Sequence, residues 1–289
     1  MLARWLTLMC VICLVAGCPA VKKNIPPQLI KPQQLHPVTQ VRTVPAFTQV
    51  YIQGPFDVRL KTNRHQKPSL KLYGDNVDLT HIQTYVKQGV LYVSVGPKKG
   101  HIGKHRLRMG QVKLDINVPH LHGFVYRGEG DITAHNIHAS PLNLWIMNSK
   151  QSTWDGSINL RRLVVSGSGT TKISGIYSED LRVTLVGSPK VELKGKANLR
   201  RLNMDGKGEL SFHWVKSTDL IVRLAGASRL MLAGTVNRLD GVFSGKSHFD
   251  GRYLRVKEAF VKTNDEAVSD IAVVDIQHTL ARDKSDIYY

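Results

Sequence analysis

Carboxylates and histidines are the residues of this chain whose types could support catalysis or metal binding. Asp155, Glu179, Asp180, Glu192, Asp205, Glu209 and Asp219 fall at outward positions of a strand-rich segment. Cleaving a glycosidic bond takes two carboxyl groups at a set separation, one of them holding a proton for the leaving group. The seven do not share one column on neighbouring units of the repeat described below. The nearest pair across units is Glu192 with Glu209 or Asp205, and acids so dispersed read as a solvated surface. Histidines pair at His120-x-His122, His101-xxx-His105 and His135-xx-His138, with no cysteine or clear carboxylate set beside them. Structural zinc takes four ligands, so no metal site is assigned. His120 and His122 would share a face if they lie on a strand. No nucleophile elbow, phosphate loop or dinucleotide fingerprint stands in the context it needs. The expectation is a protein without catalytic residues or cofactor.

Charge is the stronger chemical signal. Lys and Arg number 40 against 22 acidic residues, a formal charge of +18. Lys98, Lys99, Lys104, Arg106 and Arg108 lie with His101 and His105 in a glycine-punctuated stretch. Arg161, Arg162, Arg200 and Arg201 occupy matching points of the repeat, with Arg238 close to that point, which would line up a basic ridge on one edge. Such a ridge concentrates anions and steers them in, more weakly as salt rises. Nucleic acid is the generic partner of so basic a chain, but an export signal at its start argues against it. Acidic glycans, lipopolysaccharide or anionic lipid head groups fit that route better.

The export signal is residues 1–18. Arg4 supplies the positive start, and Trp5 to Gly17 form an uncharged apolar run of 13 residues. A spanning helix needs about 20, whereas a secretory core is shorter. The run ends in Val15-Ala16-Gly17-Cys18, which resembles the lipobox of bacterial lipoproteins. That resemblance implies cleavage before Cys18, lipid attachment to its thiol and anchorage in the cell envelope, in the outer membrane. Of the three cysteines, Cys10 and Cys13 would leave with the signal, and one remaining cysteine allows no internal disulfide. Residues 19–40 carry Pro19, Pro26, Pro27, Pro32 and Pro37 among polar residues and read as a semi-extended tether.

The element that must position everything else is a ladder of turns at Gly128, Asn148, Gly167, Gly187, Gly206, Gly226, Gly245 and Asn264, in steps of 19 or 20 residues. Glycine and asparagine most readily take a left-handed backbone, so one tight turn recurs per unit. Four residues before it stand Phe124, Leu144, Leu163, Val183, Leu202, Val222 and Phe260, with Gly241 the exception; two before it, Tyr126, Ile146, Val165, Leu185, Met204, Leu224 and Phe243. Four after it come Ile132, Val191, Leu210, Leu230, Phe249 and Val268, interrupted by Ser152 and Thr171. Apolar residues alternate on both sides of the turn, which is strand periodicity. Gly156, Gly175, Gly195 and Gly234 mark a second corner eight residues later. A fixed period near twenty is the mark of a solenoid, in which each unit buries its apolar face only against its neighbours. The fold class is therefore all-β: a parallel β-solenoid of about 20-residue coils. It spans residues 41–289, regular over 124–289, with a more irregular β part before it that reads as first coils or a cap, helical only briefly around Val77–Val86.

Within that frame, Phe47-Thr48-Gln49-Val50-Tyr51-Ile52-Gln53-Gly54, Val58-Arg59-Leu60, Leu72-Tyr73-Gly74-Asp75-Asn76, the stretch from Val86 to Val95, the alternation of Val112–Val118 and the turn Ser166-Gly167-Ser168-Gly169 follow one another. In that order they resemble the putative auto-transporter adhesin head GIN domain family over nearly all of residues 43–289. The resemblance implies a β-solenoid-like extracytoplasmic domain, often on lipoproteins, and brings no catalytic residues. Asn148, Asn264 and Lys284 depart from its turn glycines. The function expected is a lipid-anchored, adhesin-like binding module for anionic envelope or host-surface polymers. The alternatives are a polysaccharide-active enzyme and a structural or assembly protein of the envelope, whose protein partner the sequence does not name.

Overall fold

The computed structural model describes residues 36–96 and 110–289. The first part runs through β1 (Pro37–Arg42), β2 (Gln49–Gln53), β3 (Phe56–Lys61), β4 (Ser69–Asp75), a short α1 (Asn76–Thr80), β5 (Ile82–Lys87), β6 (Val90–Val95), β7 (Val112–Asn117) and β8 (Gly123–Arg127). Each later strand is close to one whole coil: β9 (Ile132–Met147), β10 (Gln151–Gly167), β11 (Thr170–Gly187), β12 (Lys190–Gly206), β13 (Glu209–Gly226), β14 (Arg229–Phe243), β15 (His248–Thr263) and β16 (Val268–Ala281), closed by β17 (Asp286–Tyr288). The architecture is the expected parallel β-solenoid. Successive coils pair in parallel and keep like over like, as in Leu163, Val183, Leu202 and Val222, all fully buried. The register of β10 shifts after Trp154, where the strand rounds its second corner, and again after Asn159.

The irregular part is the beginning of the same stack, assembled out of chain order. The coil made of β2 and β3 sits between two others: β6 and β7 pair with it in parallel on one side, β8 and β9 on the other. Outside β6 lies β5, and outside β7 lie β4 and then β1, all antiparallel. An antiparallel layer ends the parallel stack and covers edges that would otherwise offer unpaired backbone groups. The helix expected around Val77–Val86 stops at Thr80. From Ile82 the chain is extended, because Thr84, Tyr85 and Val86 suit a strand and β6 is there to pair with it. Strand β1 begins at Pro37, so the folded chain starts a few residues inside the span read as tether. Proline is tolerated there as the first residue of an edge strand.

Near the end of the ladder the turn falls one residue away from its expected place. The left-handed residues are Asp265 (φ 62°) and Asp283 (φ 61°), not Asn264 and Lys284. Aspartate tolerates this conformation better than lysine does, since its short side chain can bond locally. A one-residue slip turns each neighbouring side chain to the opposite face. Val261 and Ser269 therefore point into the core, while Phe260 and Val268, expected there, lie outside. The missing side chain at Gly241 is made good by the Phe243 ring, whose tip fills the space a Cβ would take.

At the second corner the backbone alternates between two geometries. Asn136 (φ 52°), Gly175 (73°) and Trp214 (66°) are left-handed, whereas Gly156 (141°), Gly195 (141°) and Gly234 (140°) occupy a region that is essentially glycine-only. Asn136 and Trp214 complete the column that the sequence showed only through its glycines. They are admitted because their coils carry the left-handed form.

Candidate binding surface

The solenoid presents its outward side chains as columns running along the stack. The strand segment before the first corner places Arg162, Arg182 and Arg201 opposite one another on three adjacent coils. Of the arginines expected in one ridge, the register aligns Arg162 and Arg201, and it adds Arg182, which the sequence reading missed. Its signal was there: each of the three stands five residues before its turn glycine. The Arg182 guanidinium lies 3.1 Å from Asp180, and Arg200 lies 3.9 Å from the same carboxylate. Among the described residues no carboxylate lies within 4.0 Å of Arg161, Arg162 or Arg201. Arg182, Arg200 and Arg201 line a recess of about 200 Å³ with Asp219 and Ile221. Beyond Arg201 the column continues as Ile221 and Asp240, which ends the basic run. Arg238 lies outside it, paired with Asp219 in the register, its guanidinium 4.4 Å from the centre of the Phe260 ring. Cys18, Lys98, Lys99, Lys104, Arg106 and Arg108, like His101 and His105, lie outside the described residues.

The segment after the first corner forms a different face. Glu192 and Glu209 both line a groove of about 470 Å³ there, with Lys172, Lys190, Arg229 and His248. Asp205 belongs to the other face, between Val186 and Ala225, so it is no partner for Glu192. Glu192 lies 2.7 Å from the Lys194 ammonium and 3.7 Å from that of Lys172, and Glu209 lies 3.7 Å from Lys190. The hydrogen bond from Lys194 holds the Glu192 carboxyl below its ordinary range, against the opposing effect of burial. A general acid needs its affinity for the proton raised; this carboxylate has it lowered. The groove is a ladder of compensated charge.

His120 and His122 are exposed and lie on the bend between β7 and β8, because Pro119 cannot continue the strand. They therefore do not share a strand face. His135 contacts the Asp155 carboxylate through Nδ1. Among the described residues no three metal-ligating side chains converge, and no helix is long and apolar enough to cross a membrane.

The family model described as "Putative auto-transporter adhesin, head GIN domain" matches residues 46–212 and again residues 181–289. The crystal structure of a putative adhesin from Parabacteroides merdae is similar at 15% identity and a TM-score of 0.61, covering 87% of this chain and 95% of its own. A putative adhesin from Parabacteroides distasonis is similar at 13% identity and a TM-score of 0.56, covering 86% of this chain and 97% of its own. At these identities the likeness is one of fold. No curated protein matches the sequence.

Proposed function

The chain belongs to the putative auto-transporter adhesin head GIN domain family, and from that premise we propose that it is a lipid-anchored binding module of the cell envelope, in the outer membrane, which holds anionic polymers of the envelope or of a host surface. The observation that carries this reading is the register of Arg162, Arg182 and Arg201, one guanidinium per coil. Strands pair about 4.8 Å apart, so the ladder offers positive charge at a spacing suited to a chain of repeating acidic units. Guanidinium groups bond carboxylate, sulfate and phosphate bidentately. The lipobox-like Val15-Ala16-Gly17-Cys18 supports the anchor, and the proline-rich residues after it would hold the domain off the membrane. The adhesin descriptions of the family and of the similar structures favour binding over turnover, as does the lysine-paired state of Glu192 and Glu209.

The test is retention of the protein on immobilised polygalacturonate and lipopolysaccharide at low and physiological salt. Reversing two charges, Arg162→Glu with Arg201→Glu, is expected to weaken binding about tenfold or more, since hydrogen bonds to charged groups contribute about 1.5–3 kcal/mol each. Far-UV circular dichroism should stay unchanged, because both side chains are exposed. Equal retention of variant and parent would remove the ladder from the binding surface. Shortening of the polymer during incubation would revive the enzyme alternative.

A further inference from the structure

The face that carries the arginine ladder has a second feature, which the out-of-order assembly of the first coils creates. Along one column of outward positions the register brings together Tyr85, Tyr92, Tyr51, Val125, Trp145 and Val164 on six neighbouring strands. The Tyr85 and Tyr92 rings stack with centroids 4.9 Å apart and planes 13° from parallel, and Tyr51 follows at 5.5 Å. The Arg127 guanidinium sits 5.7 Å from the centre of the Tyr51 ring. Tyr85 is 51% exposed, and the other five are half-buried. Their inward alternates, among them Leu91, Val93, Val50, Ile52, Phe124 and Leu144, already supply the core.

A sheet face turned to water normally reads polar at every second residue. This column does so only after Val164, where it continues as Thr184, Asn203 and Arg223. Cross-strand aromatic pairs stabilise a sheet, which accounts for the three stacked tyrosines. The aromatic–β-branched pairs Val125–Trp145 and Trp145–Val164 stabilise it too, yet no such pair requires that six rungs in one line stay partly open to water. Arg162 lies two residues before Val164 on the same strand, so the two share a face, and Arg182 and Arg201 carry the line onward over two more coils. Six rungs of apolar and aromatic surface, about 24 Å long at the usual strand spacing, therefore end on the coil where a ladder of guanidinium groups begins, one outward position to the side.

We infer that this strip binds a linear acidic glycan, its pyranose rings packing against the outward edges of the stacked Tyr92 and Tyr51 rings and against Trp145, and its acidic groups on Arg162, Arg182 and Arg201. The inference rests on the anionic-polymer reading above and names the class of polymer. A sugar ring has an apolar C–H face that packs on an aromatic ring, and a uronic acid adds a carboxylate at its edge. Every unit of such a polymer carries both chemistries, so one stretch of it can use the rings and the next stretch the guanidinium groups. A polyphosphate would use the arginines and gain nothing from the tyrosines. A neutral glucan would use the rings and gain nothing from the arginines.

The experiment is equilibrium binding of the full chain to polygalacturonate, to polyphosphate of similar charge and to dextran at physiological salt. The parent protein should bind polygalacturonate tightest. Tyr51→Ala and Trp145→Ala should each weaken that binding about tenfold, the usual order for truncating an aromatic anchor, and leave polyphosphate binding unchanged. Tyr51→Phe and Trp145→Tyr keep a ring on the strip and should retain most of the affinity, which separates loss of the platform from loss of fold. Equal affinity for polygalacturonate and polyphosphate, indifferent to both alanine variants, would overturn the glycan inference and leave the arginine ladder standing. Failure to bind either anion would overturn the anionic reading and this inference with it.

Discussion

Alanine at Gly234 is expected to destabilise the solenoid by roughly 4 kcal/mol. Gly234 stands at the second corner with φ 140°, where a residue bearing a Cβ pays about 1–3 kcal/mol in backbone strain. A Cβ there would also come within 2.0 Å of the Val215 carbonyl oxygen of the preceding coil. That contact is with backbone held in a parallel ladder, so it cannot be relieved by turning a side chain. Forcing atoms into a packed interior adds about 1–3 kcal/mol. The sign reverses at the alternate corners. Trp214 has the milder left-handed geometry and is 68% exposed, so its indole recovers little by packing. Asparagine, already present at the equivalent Asn136, relieves a bulky residue of that conformation, and Trp214→Asn should raise stability by up to about 1 kcal/mol. Denaturant melts followed by circular dichroism would show the two midpoints moving in opposite directions. A Gly234→Ala midpoint equal to the parent's would mean that the corner relaxes freely and that the alternation of geometries has no energetic content.

The periodic half of this fold was legible because parallel stacking repeats one environment every coil. Leu144, Leu163, Val183 and Leu202 answer the same demand, and their spacing shows in the sequence. Legibility failed where the period changed by one. Reading the turn at Asn264 in place of Asp265 moved Phe260 into the core and Val261 out of it, although both are apolar and neither contradicts the pattern by itself. It failed differently for the first coils. Nothing in the order of the chain says that the coil containing Tyr51 is inserted between those containing Tyr92 and Val125. The tyrosine stack is a product of that insertion and has no local signature. Its other half did leave a signal: Val125, Trp145 and Val164 each stand three residues before a turn residue, an outward position by the same alternation that assigned the core. The arginine ladder was half visible, because Arg161-Arg162 and Arg200-Arg201 announce themselves as doublets while Arg182 stands alone.

Trp154→Ala is the second large loss expected, about 3–5 kcal/mol. Trp154 is fully buried between Ala134 of the coil before and Ile173 of the coil after. Its ring meets the Phe124 ring edge-on with centroids 5.0 Å apart, an arrangement worth about 0.5–1.5 kcal/mol beyond the area it buries. The small Ala134 leaves room for the indole, so the two are one volume divided unequally, and truncation would open a cavity that alanine above alanine cannot fill. The indole also explains Ser152, which interrupts an otherwise apolar column. Trp154 Nε1 donates to Ser152 Oγ at 2.7 Å, and that serine is itself buried. Removing the donor strands a hydroxyl in the core, at a cost of about 1–3 kcal/mol. The double replacement Trp154→Phe with Ser152→Val should therefore recover more stability than Trp154→Phe alone, since it takes away both the donor and the acceptor. Melts of the three variants check this directly. If Trp154→Phe alone matches the double variant, the serine is satisfied by another partner and the column is interrupted there for some reason other than the indole.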